Sequence, residues 1–434
     1  MASILRQTVR GMRDLINDEA ERLRFIEQKA REISKLYGYK EVITPIVEHY
    51  DLLAAKIGED NRRRMFVFED LGGRKVALRP EFTASVARLV ATKMQGAPKP
   101  LKLFSVGSLY RYDEPQFGRY REFWQANYEL FGSSRPEADT EILALTNNLL
   151  KEIGLRNFHF KIGHVGVIKN ILTHEEISEN QQNSILQLLD KKQWDDALNV
   201  AKMVGCSRNC LETLEALFKI RGRDSETVSS EISEVVKDYP EALKAVTNLN
   251  EILTLLKNCD IKVTITVEAG FARGLEYYTG MIFEIYASDM DVAVGGGGRY
   301  DRLIELFGGG QIPAVGVAHG IDRLSLALKK QEFKFKMDRE SRVLVIAVEN
   351  SMLGEAFKVS SMLRKEGVIV EIEIMGRSVS KALSDANRRG ITHAVIIGSR
   401  EISENKVVLK SMRKRTQEIV PVKNLFEKIR QKVE

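Results

Sequence analysis

Cysteine is scarce in this chain, with only Cys206, Cys210 and Cys259 among 434 residues. An odd and sparse set argues against a disulfide scaffold and is typical of a reducing compartment. Cys206 and Cys210 stand about one helical turn apart, a spacing that zinc ligands can use. The spacing leaves a zinc pair open, but we assign no metal site because neither a second cysteine pair nor a nearby histidine completes four ligands.

Long apolar runs are also lacking. No stretch approaches the roughly 20 apolar residues that a membrane-spanning helix needs. The first residues do not show the basic and then apolar layout of a secretory signal. We therefore expect a cytoplasmic protein that does not bind a membrane.

Positive charge is unevenly distributed along the chain. The formal net charge is +6, yet residues 342–434 alone carry 18 Lys and Arg against 11 Asp and Glu. The remaining residues are nearly neutral, with 48 basic and 49 acidic side chains. A basic C-terminal region suits contact with a polyanion. An ordinary soluble domain with a modest charge excess fits the composition equally well.

The stretch from residue 102 to residue 131 predicts a β-hairpin. Two strand-like runs, Lys102–Arg111 and Glu122–Phe131, flank a polar loop that contains Pro115 and Gly118. Alternation in the second run separates an apolar face from a polar face. The apolar face holds Trp124, Ala126, Tyr128 and Leu130, and the polar face holds Gln125, Asn127 and Glu129.

A solvated strand face is the commoner explanation of such a polar row. Here, however, the loop adds three guanidinium groups beside the row, from Arg111, Arg119 and Arg121. Guanidinium groups next to amides and carboxylates can hold a ligand that has both anionic and cationic ends.

This hairpin resembles the second signature motif of class II aminoacyl-tRNA synthetases, in the form found in histidyl-tRNA synthetases. In that family an Arg ends the first strand, the loop reads Pro-Gln-x-Gly-Arg-x-Arg, and the second strand begins Phe-x-Gln. The same pattern stands here at Arg111, Pro115–Arg121 and Phe123–Gln125.

Two earlier stretches are similar to other parts of this family. Residues 18–45 predict a helix, a strand at Glu41–Thr44 and a stop at Pro45, which resembles the first class II motif and implies a dimer interface. Residues 79–83 read Arg-Pro-Glu-Phe-Thr and resemble the family pattern Arg-Pro-Glu-x-Thr. On local grounds, Glu81 and Thr83 are equally typical of helix capping.

Three later stretches complete the resemblance. Residues 273–278 read Arg-Gly-Leu-Glu-Tyr-Tyr and resemble the histidine-specific motif Arg-Gly-Leu-Asp-Tyr-Tyr, with Glu276 in place of Asp. Val294–Asp301 contains four successive glycines, which leave room for a flat ligand, and resembles the second specific motif. Ala314–Leu324 passes from a strand into a helix and resembles the third class II motif. Taken alone, residues 270–280 are also typical of a loop that joins two strands and buries its tyrosines.

The resemblance covers essentially the whole chain and implies an α+β fold. Residues 1–328 form the catalytic domain on a class II antiparallel sheet, interrupted by a helical insertion at 165–258. In the family this insertion is thought to clasp the acceptor arm of tRNA. Residues 329–341 are a polar linker. Residues 342–434 alternate apolar strands with helices and resemble the α/β anticodon-binding domain of class IIa synthetases.

The function implied is that of a histidine–tRNA ligase. Histidine carboxylate attacks the α-phosphate of ATP, which is used with Mg²⁺, and pyrophosphate leaves. The histidyl group then passes to the 3′ end of histidine tRNA. The family also implies a homodimer.

Site residues are implied by their positions in the motifs. Arg111 and Arg273 are the catalytic pair at the α-phosphate and carboxylate, and Arg273 stands where related enzymes hold a metal. The residues implied to bind histidine are Glu81, Thr83, Arg111, Gln125, Glu129, Arg273, Tyr277 and Tyr278. Those implied to bind ATP are Arg111, Arg119, Arg121, Phe123 and Arg323, with either Arg119 or Arg121 at the distal phosphates.

A non-catalytic relative, either a regulatory subunit or a tRNA-sensing protein on the same fold, is the main alternative. Such relatives typically lose the catalytic Arg or the C-terminal domain, and both are present here. A class II synthetase for another amino acid conflicts with the motif Arg273–Tyr278.

Overall fold

The structure, a computed structural model, describes residues 6–55, 57–116, 118–259, 261, 263–333 and 341–431. The chain divides into two compact units, Met1–Phe333 and Lys334–Glu434. Residues 334–340 of the expected linker lie outside the described residues, as do 1–5 and 432–434 of the expected domains. No helix in the described ranges is long and apolar enough to cross a membrane.

The first unit contains two sheets. Its strands are β1 Lys40–Glu41, β2 Val47–His49, β3 Val67–Glu69, β4 Lys75–Leu78, β5 Leu101–Tyr110, β6 Glu122–Phe131, β7 Phe158–His164, β8 Arg221–Gly222, β9 Thr264–Glu268, β10 Met281–Ala287, β11 Gly295–Arg299 and β12 Ala314–Gly320.

Nine of the described strands make the main sheet, in the order β1-β5-β6-β12-β11-β10-β7-β9-β8. Neighbours from β5 to β7 all run antiparallel, while β1 with β5 and β7 with β9 run parallel. The antiparallel catalytic sheet expected from the class II resemblance is therefore confirmed. A smaller sheet has the order β2-β4-β3.

Helices cover the main sheet and fill the long connection between β7 and β9. They are α1 Asp18–Leu36, α2 Tyr50–Ala54, α3 Glu59–Arg62, α4 Thr83–Lys93, α5 Pro136–Glu152, α6 Val165–His174, α7 Glu179–Asp190, α8 Trp194–Met203, α9 Arg208–Lys219, α10 Ser225–Val235, α11 Pro240–Asn258, α12 Leu303–Leu306 and α13 Ile321–Lys330. The last of these extends two residues into the expected linker.

The strand expected at Glu41–Thr44 is shorter in the structure and ends at Glu41. Beyond it the Val42 N–H still donates to the Phe104 carbonyl at 2.8 Å, and the Thr44 carbonyl accepts a hydrogen bond from Arg79 Nη1 at 2.7 Å.

Both faces of β6 are buried from Ala126 onward. On one face, the Tyr128 hydroxyl donates to the Ala30 carbonyl of α1 at 2.7 Å. On the other face, Asn127 and Glu129 are 1% and 2% exposed. A solvated polar face is therefore wrong for these two residues, and their burial calls for partners.

Helices α6–α11 occupy the amphipathic stretch 165–258. They belong to the same compact unit as the sheet, and α11 packs against α5 and α6. The assignment of this stretch as an inserted domain stays a prediction.

The second unit is a mixed sheet covered by helices. Its elements are β13 Arg342–Ala347, α14 Leu353–Lys365, β14 Ile369–Ile372, α15 Val379–Arg388, β15 His393–Ile397, α16 Ser399–Ser403, β16 Lys406–Ser411, β17 Thr416–Pro421 and α17 Leu425–Gln431. The order is β14-β13-β15-β16-β17, with β13 parallel to both neighbours. Successive residues of β13 enter separate apolar clusters on the two faces, which explains its continuous apolar run. The expected α/β architecture is confirmed.

Candidate active site

A cavity of about 350 Å³ lies against the middle of the main sheet. Its walls come from β6, β10, β11 and β12, from the loop between β5 and β6, and from the loop that precedes β10. Nine of the side chains assigned from the sequence border it, namely Glu81, Arg111, Arg119, Phe123, Gln125, Arg273, Tyr277, Tyr278 and Arg323.

Arg111 follows the last residue of β5 and is anchored on the cavity wall. Its Nε donates to the Pro80 carbonyl at 2.9 Å. Its guanidinium carbon lies 5.2 Å from the centre of the Phe123 ring, a cation–π contact across the two ends of the hairpin. The main-chain bond and the ring contact hold a cation at the cavity without neutralising it.

Arg323 lies in the first turn of α13. It donates to the carbonyls of Gly118 at 3.1 Å and Ala293 at 2.7 Å. Burial, followed by the nearby charges of Arg119 and Arg111, lowers the pKa of Arg323 to about 10. The group stays charged at neutral pH, and an anion between these arginines would relieve their mutual repulsion.

Arg273 reaches the cavity from the loop before β10. Its Nη1 donates to the Phe283 carbonyl at 3.0 Å, and its Nε lies 3.8 Å from a carboxylate oxygen of Glu284. A Cβ on Gly296 would collide with the Arg273 guanidinium. The glycine strand β11 is therefore what gives this cation room against the sheet.

Glu81 both borders the cavity and caps a helix. Its carboxylate accepts the main-chain N–H groups of Thr83 at 2.9 Å and Ala84 at 2.7 Å, at the start of α4. The capping role that local sequence suggested is thus present. Burial raises the pKa of Glu81, against the effect of these donors.

Glu129 and Thr83 do not border the cavity directly but form a buried network beside it. Thr83 Oγ1 donates to Glu129 Oε1 at 2.7 Å, and the Tyr300 hydroxyl donates to Glu129 Oε2. Burial raises the pKa of Glu129 to about 7 despite both donors. Gly316 does border the cavity, and a Cβ there would collide with the Glu129 carboxylate. The carboxylate therefore stands directly behind a side-chain-free part of the wall.

Two amide side chains of β6 present unsatisfied acceptors at the cavity. Gln125 Oε1 and Asn127 Oδ1 are buried and have no hydrogen-bond partner among the described residues. Because buried acceptors are normally paired, they are suited to a ligand that carries N–H donors. Sequence reasoning placed Asn127 on the same face as Gln125 but assigned it no role.

Tyr277, Tyr278 and Tyr300 form an aromatic cluster, of which Tyr277 and Tyr278 border the cavity. The ring centres of Tyr277 and Tyr278 lie 4.9 Å apart, and those of Tyr277 and Tyr300 lie 5.6 Å apart. Tyr300 was missed as a site residue. The available signal was its position immediately after the glycine strand, which places it beside any group that the glycines accommodate.

Arg119 and Arg121 are separated by the structure. Arg119 borders the cavity, whereas Arg121 is 5% exposed and lies over the Tyr112 ring at 3.6 Å. The Nε of Arg121 donates to the Asp113 carbonyl at 3.2 Å. These contacts hold Arg121 in the loop and away from the cavity wall.

The segment before α1 is a further part of the site that sequence reasoning missed. Arg13 forms an ion pair with Asp322, and its guanidinium carbon lies 3.6 Å from the centre of the Tyr120 ring. The second carboxylate oxygen of Asp322 accepts the Trp124 N–H at 2.6 Å. The segment thus ties the arginine-bearing loop to the start of α13.

Within the described ranges, no group of three or more His, Cys, Asp or Glu side chains is placed to hold a metal ion. Cys206 and Cys210 are both buried in the helical stretch between β7 and β9.

Comparisons with known proteins cover nearly all of the chain. Residues 11–324 match the sequence model of a family described as Histidyl-tRNA synthetase, and residues 342–432 match one described as Anticodon binding domain. A protein named histidine–tRNA ligase from Methanocaldococcus jannaschii is 40% identical over 425 residues, which is 97% of this chain and 99% of that protein.

Solved structures show the same fold. The apo histidyl-tRNA synthetase of S. aureus has a TM-score of 0.72 and 27% identity, and the match covers 98% of this chain and 99% of that one. A Bacillus halodurans structure described as an ATP phosphoribosyltransferase regulatory subunit/histidyl-tRNA synthetase has a TM-score of 0.75 and 25% identity. That match covers 88% of this chain and 96% of the other.

Proposed function

This chain belongs to the histidyl-tRNA synthetase family, and we propose that it activates L-histidine with ATP and joins the histidyl group to the 3′ end of histidine tRNA. One observation carries the proposal: the histidine-specific loop borders the same cavity as three arginines of the class II motifs, Arg111, Arg119 and Arg323. A regulatory relative needs no such set of cations, since it performs no chemistry on phosphate.

In the first step the histidine carboxylate attacks the α-phosphate of ATP and pyrophosphate leaves. Negative charge develops on the phosphoryl oxygens, so fixed cations that point at them lower the barrier. Arg111 and Arg273 take this role. Both are already held by main-chain carbonyls at 2.9 and 3.0 Å, and little reorganisation is needed when the reaction begins.

ATP binds between the hairpin and α13. Phe123 and Arg323 enclose the adenine from two sides. Arg119 meets the distal phosphates, because it borders the cavity whereas Arg121 is committed to Tyr112 and Asp113. ATP enters as its Mg²⁺ complex, with the ion as part of the substrate.

Histidine binds with its ammonium group at Glu81 and Gln125. Thr83 contributes through Glu129, since its hydroxyl already donates to that carboxylate. The Glu129 carboxylate accepts a hydrogen bond from one imidazole N–H beside Gly316, and the Tyr278 hydroxyl forms a hydrogen bond with the other ring nitrogen. The Tyr277 ring packs against Tyr278 and supports this arrangement. A site of this kind rejects side chains that leave its polar groups unpaired, by about 10⁴–10⁵-fold, and needs no editing site.

The experiment that tests this function is ATP–pyrophosphate exchange in the absence of tRNA, run with each amino acid in turn. We expect exchange that depends on histidine. Exchange with a different amino acid would replace the proposed substrate, and no exchange with any amino acid would support a regulatory protein.

Glu129→Gln is expected to raise the histidine KM about ten- to a hundredfold. The change keeps the size of the side chain but removes a charged acceptor from a buried site, a loss of about 1.5–3 kcal/mol. The KM for ATP should stay the same, because ATP touches neither Glu129 nor its donors. Pyrophosphate exchange with the other substrate saturating gives both constants, and an unchanged histidine KM would remove Glu129 from imidazole recognition.

The second unit is proposed to bind the anticodon region of the tRNA. Removal of residues 342–434 is then expected to reduce tRNA charging far more than pyrophosphate exchange. The unit carries the positive excess of the chain but contributes none of the cavity residues described above. Equal loss in both assays, from a truncated protein of native circular dichroism, would contradict a separate role in tRNA binding.

We also propose that the protein is a cytoplasmic homodimer. Its three cysteines are free, which fits a reducing compartment. Ile43 in the first class II motif is 92% exposed, and three residues of the small sheet that follows it, Val47, Val67 and Phe68, are also exposed apolar side chains. Clustered exposed apolar side chains indicate an interaction surface. Light scattering should therefore give twice the chain mass of 49.2 kDa, and Ile43→Glu should shift the population toward monomer. A monomeric wild-type protein would refute this.

A further inference from the structure

Three side chains of the helical stretch between β7 and β9 contact alternate residues of the histidine-specific loop. Lys169 of α6 donates through Nζ to the Tyr278 carbonyl at 2.7 Å. Gln187 of α7 donates through Nε2 to Glu276 Oε1 at 3.1 Å. Asp190, at the end of α7, packs against Gly274, where an added Cβ would lie 2.7 Å from its Oδ2.

These contacts matter because the loop is irregular. Residues 270–280 contain no helix or strand. At the end of the loop the Thr279 N–H donates to the Arg299 carbonyl of β11 at 2.8 Å, and the residues before it depend on other contacts. Only about 10 Å³ of space remains where α6 and α7 meet the loop. The side chains that flank this interface, Arg273 and Tyr278, are the ones assigned to the carboxylate and the imidazole.

Glu276 is the single departure from the family pattern in this loop, which has Asp at that place. Its additional methylene group allows the carboxylate to reach Gln187. The departure therefore coincides with a contact between the loop and α7.

We propose that Lys169 and Gln187 are positioning residues for histidine binding, and that α6 and α7 set the place of Arg273 and Tyr278 by holding the loop at Tyr278 and Glu276. The proposal rests on the proposed function, since it assumes that the loop binds histidine. It gives the helical stretch a role at the amino-acid site.

The first test is a double-mutant cycle in pyrophosphate exchange without tRNA. Gln187→Leu and Glu276→Asp are each expected to raise the histidine KM about three- to tenfold, while kcat and the ATP KM stay within twofold of wild type. The double variant should show no further rise, because both single changes break the same hydrogen bond. Independent, multiplying effects would overturn the link between these two residues.

The second test uses a different part of the interface. Lys169→Met is expected to raise the histidine KM about tenfold, since a charged donor to Tyr278 is lost, and Lys169→Arg should restore most of the affinity. Lys202→Met, an exposed lysine of α8 in the same helical stretch, is the matched control and should behave as wild type.

The outcomes distinguish failure of the proposed function from failure of the positioning role. If the wild-type protein shows no histidine-dependent exchange, the proposed function itself is wrong. Normal wild-type exchange, with Lys169→Met and Gln187→Leu both within twofold of wild type in histidine KM, would overturn only the positioning role. A parallel rise in the KM for ATP would point to general damage to the fold and would likewise count against positioning.

Discussion

Replacing Arg273 by alanine is expected to slow formation of the histidyl adenylate by about 10²–10³-fold, a loss of roughly 2.7–4 kcal/mol of transition-state stabilisation. Arg273 is a cation fixed by the Phe283 carbonyl in a cavity lined by little-exposed groups. Its removal takes away one preorganised charge where the α-phosphate and the carboxylate meet. Single-turnover formation of the adenylate, with both substrates saturating, measures the effect directly.

Two further variants make the result specific. Arg302→Ala removes an arginine whose side chain is 71% exposed, and it should leave the rate unchanged. Arg273→Lys keeps the charge but not the planar guanidinium group, and its rate of adenylate formation should lie between those of Arg273→Ala and wild type. A near-wild-type rate for Arg273→Ala would refute its assignment to the reacting groups.

Replacing Asp139 by alanine is expected to lower the stability of the first unit by about 3–5 kcal/mol. Asp139 is fully buried on α5, and its carboxylate accepts a hydrogen bond from Arg299 Nε at 3.1 Å. Arg299 also donates to the Ser133 carbonyl at 2.9 Å and to Asp301 at 3.0 Å, so this one guanidinium joins α5 to the end of β11. Without Asp139 it would remain buried with one fewer anion.

Burial raises the pKa of Asp139 to about 6 even beside Arg299, because desolvation outweighs the attraction between the two charges. The folded carboxyl thus holds its proton more tightly than the unfolded one, and its contribution to stability falls as pH rises from about 4 to about 6. The stability lost in Asp139→Ala therefore comes mainly from leaving the buried Arg299 guanidinium without this partner.

Urea unfolding followed by tryptophan fluorescence measures this cost, since both tryptophans, Trp124 and Trp194, lie in the first unit. Glu137→Ala is the matched control on the same helix. It breaks a pair with Arg135 whose side chains are 49% and 76% exposed, and such an exposed pair contributes little to stability. Equal effects of the two substitutions would show that the buried pair is not required for stability.

The hairpin of β5 and β6 shows which features of the site the local residue pattern can predict. Period-2 alternation placed Gln125, Asn127 and Glu129 on one face. The structure shows Gln125 and Asn127 at the cavity and Glu129 directly behind its wall at Gly316. Alternation could not say whether the face meets solvent or protein. That depends on which strands lie alongside, and here β12 places the glycine Gly316 opposite Glu129.

The C-terminal unit was easier to predict than the site. Parallel strands that are buried on both faces must be apolar throughout, so β13 and β15 are visible in the sequence without knowledge of their neighbours. The roles of Arg119 and Arg121 were not visible in this way. They stand two residues apart in one loop, and only the packing of Arg121 on Tyr112 distinguishes them.

By itself, the sequence determined the family, the strands and helices that carry its motifs, and which segments carry charge and glycine for the site, because these features depend on residue type and spacing along the chain. Tertiary structure alone decided which of those groups meet. Tyr300 reaches Glu129 across 171 positions, and Arg13 reaches Asp322 across 309. Contacts at such separations arise from the packing of whole elements, and no local pattern of residues encodes them.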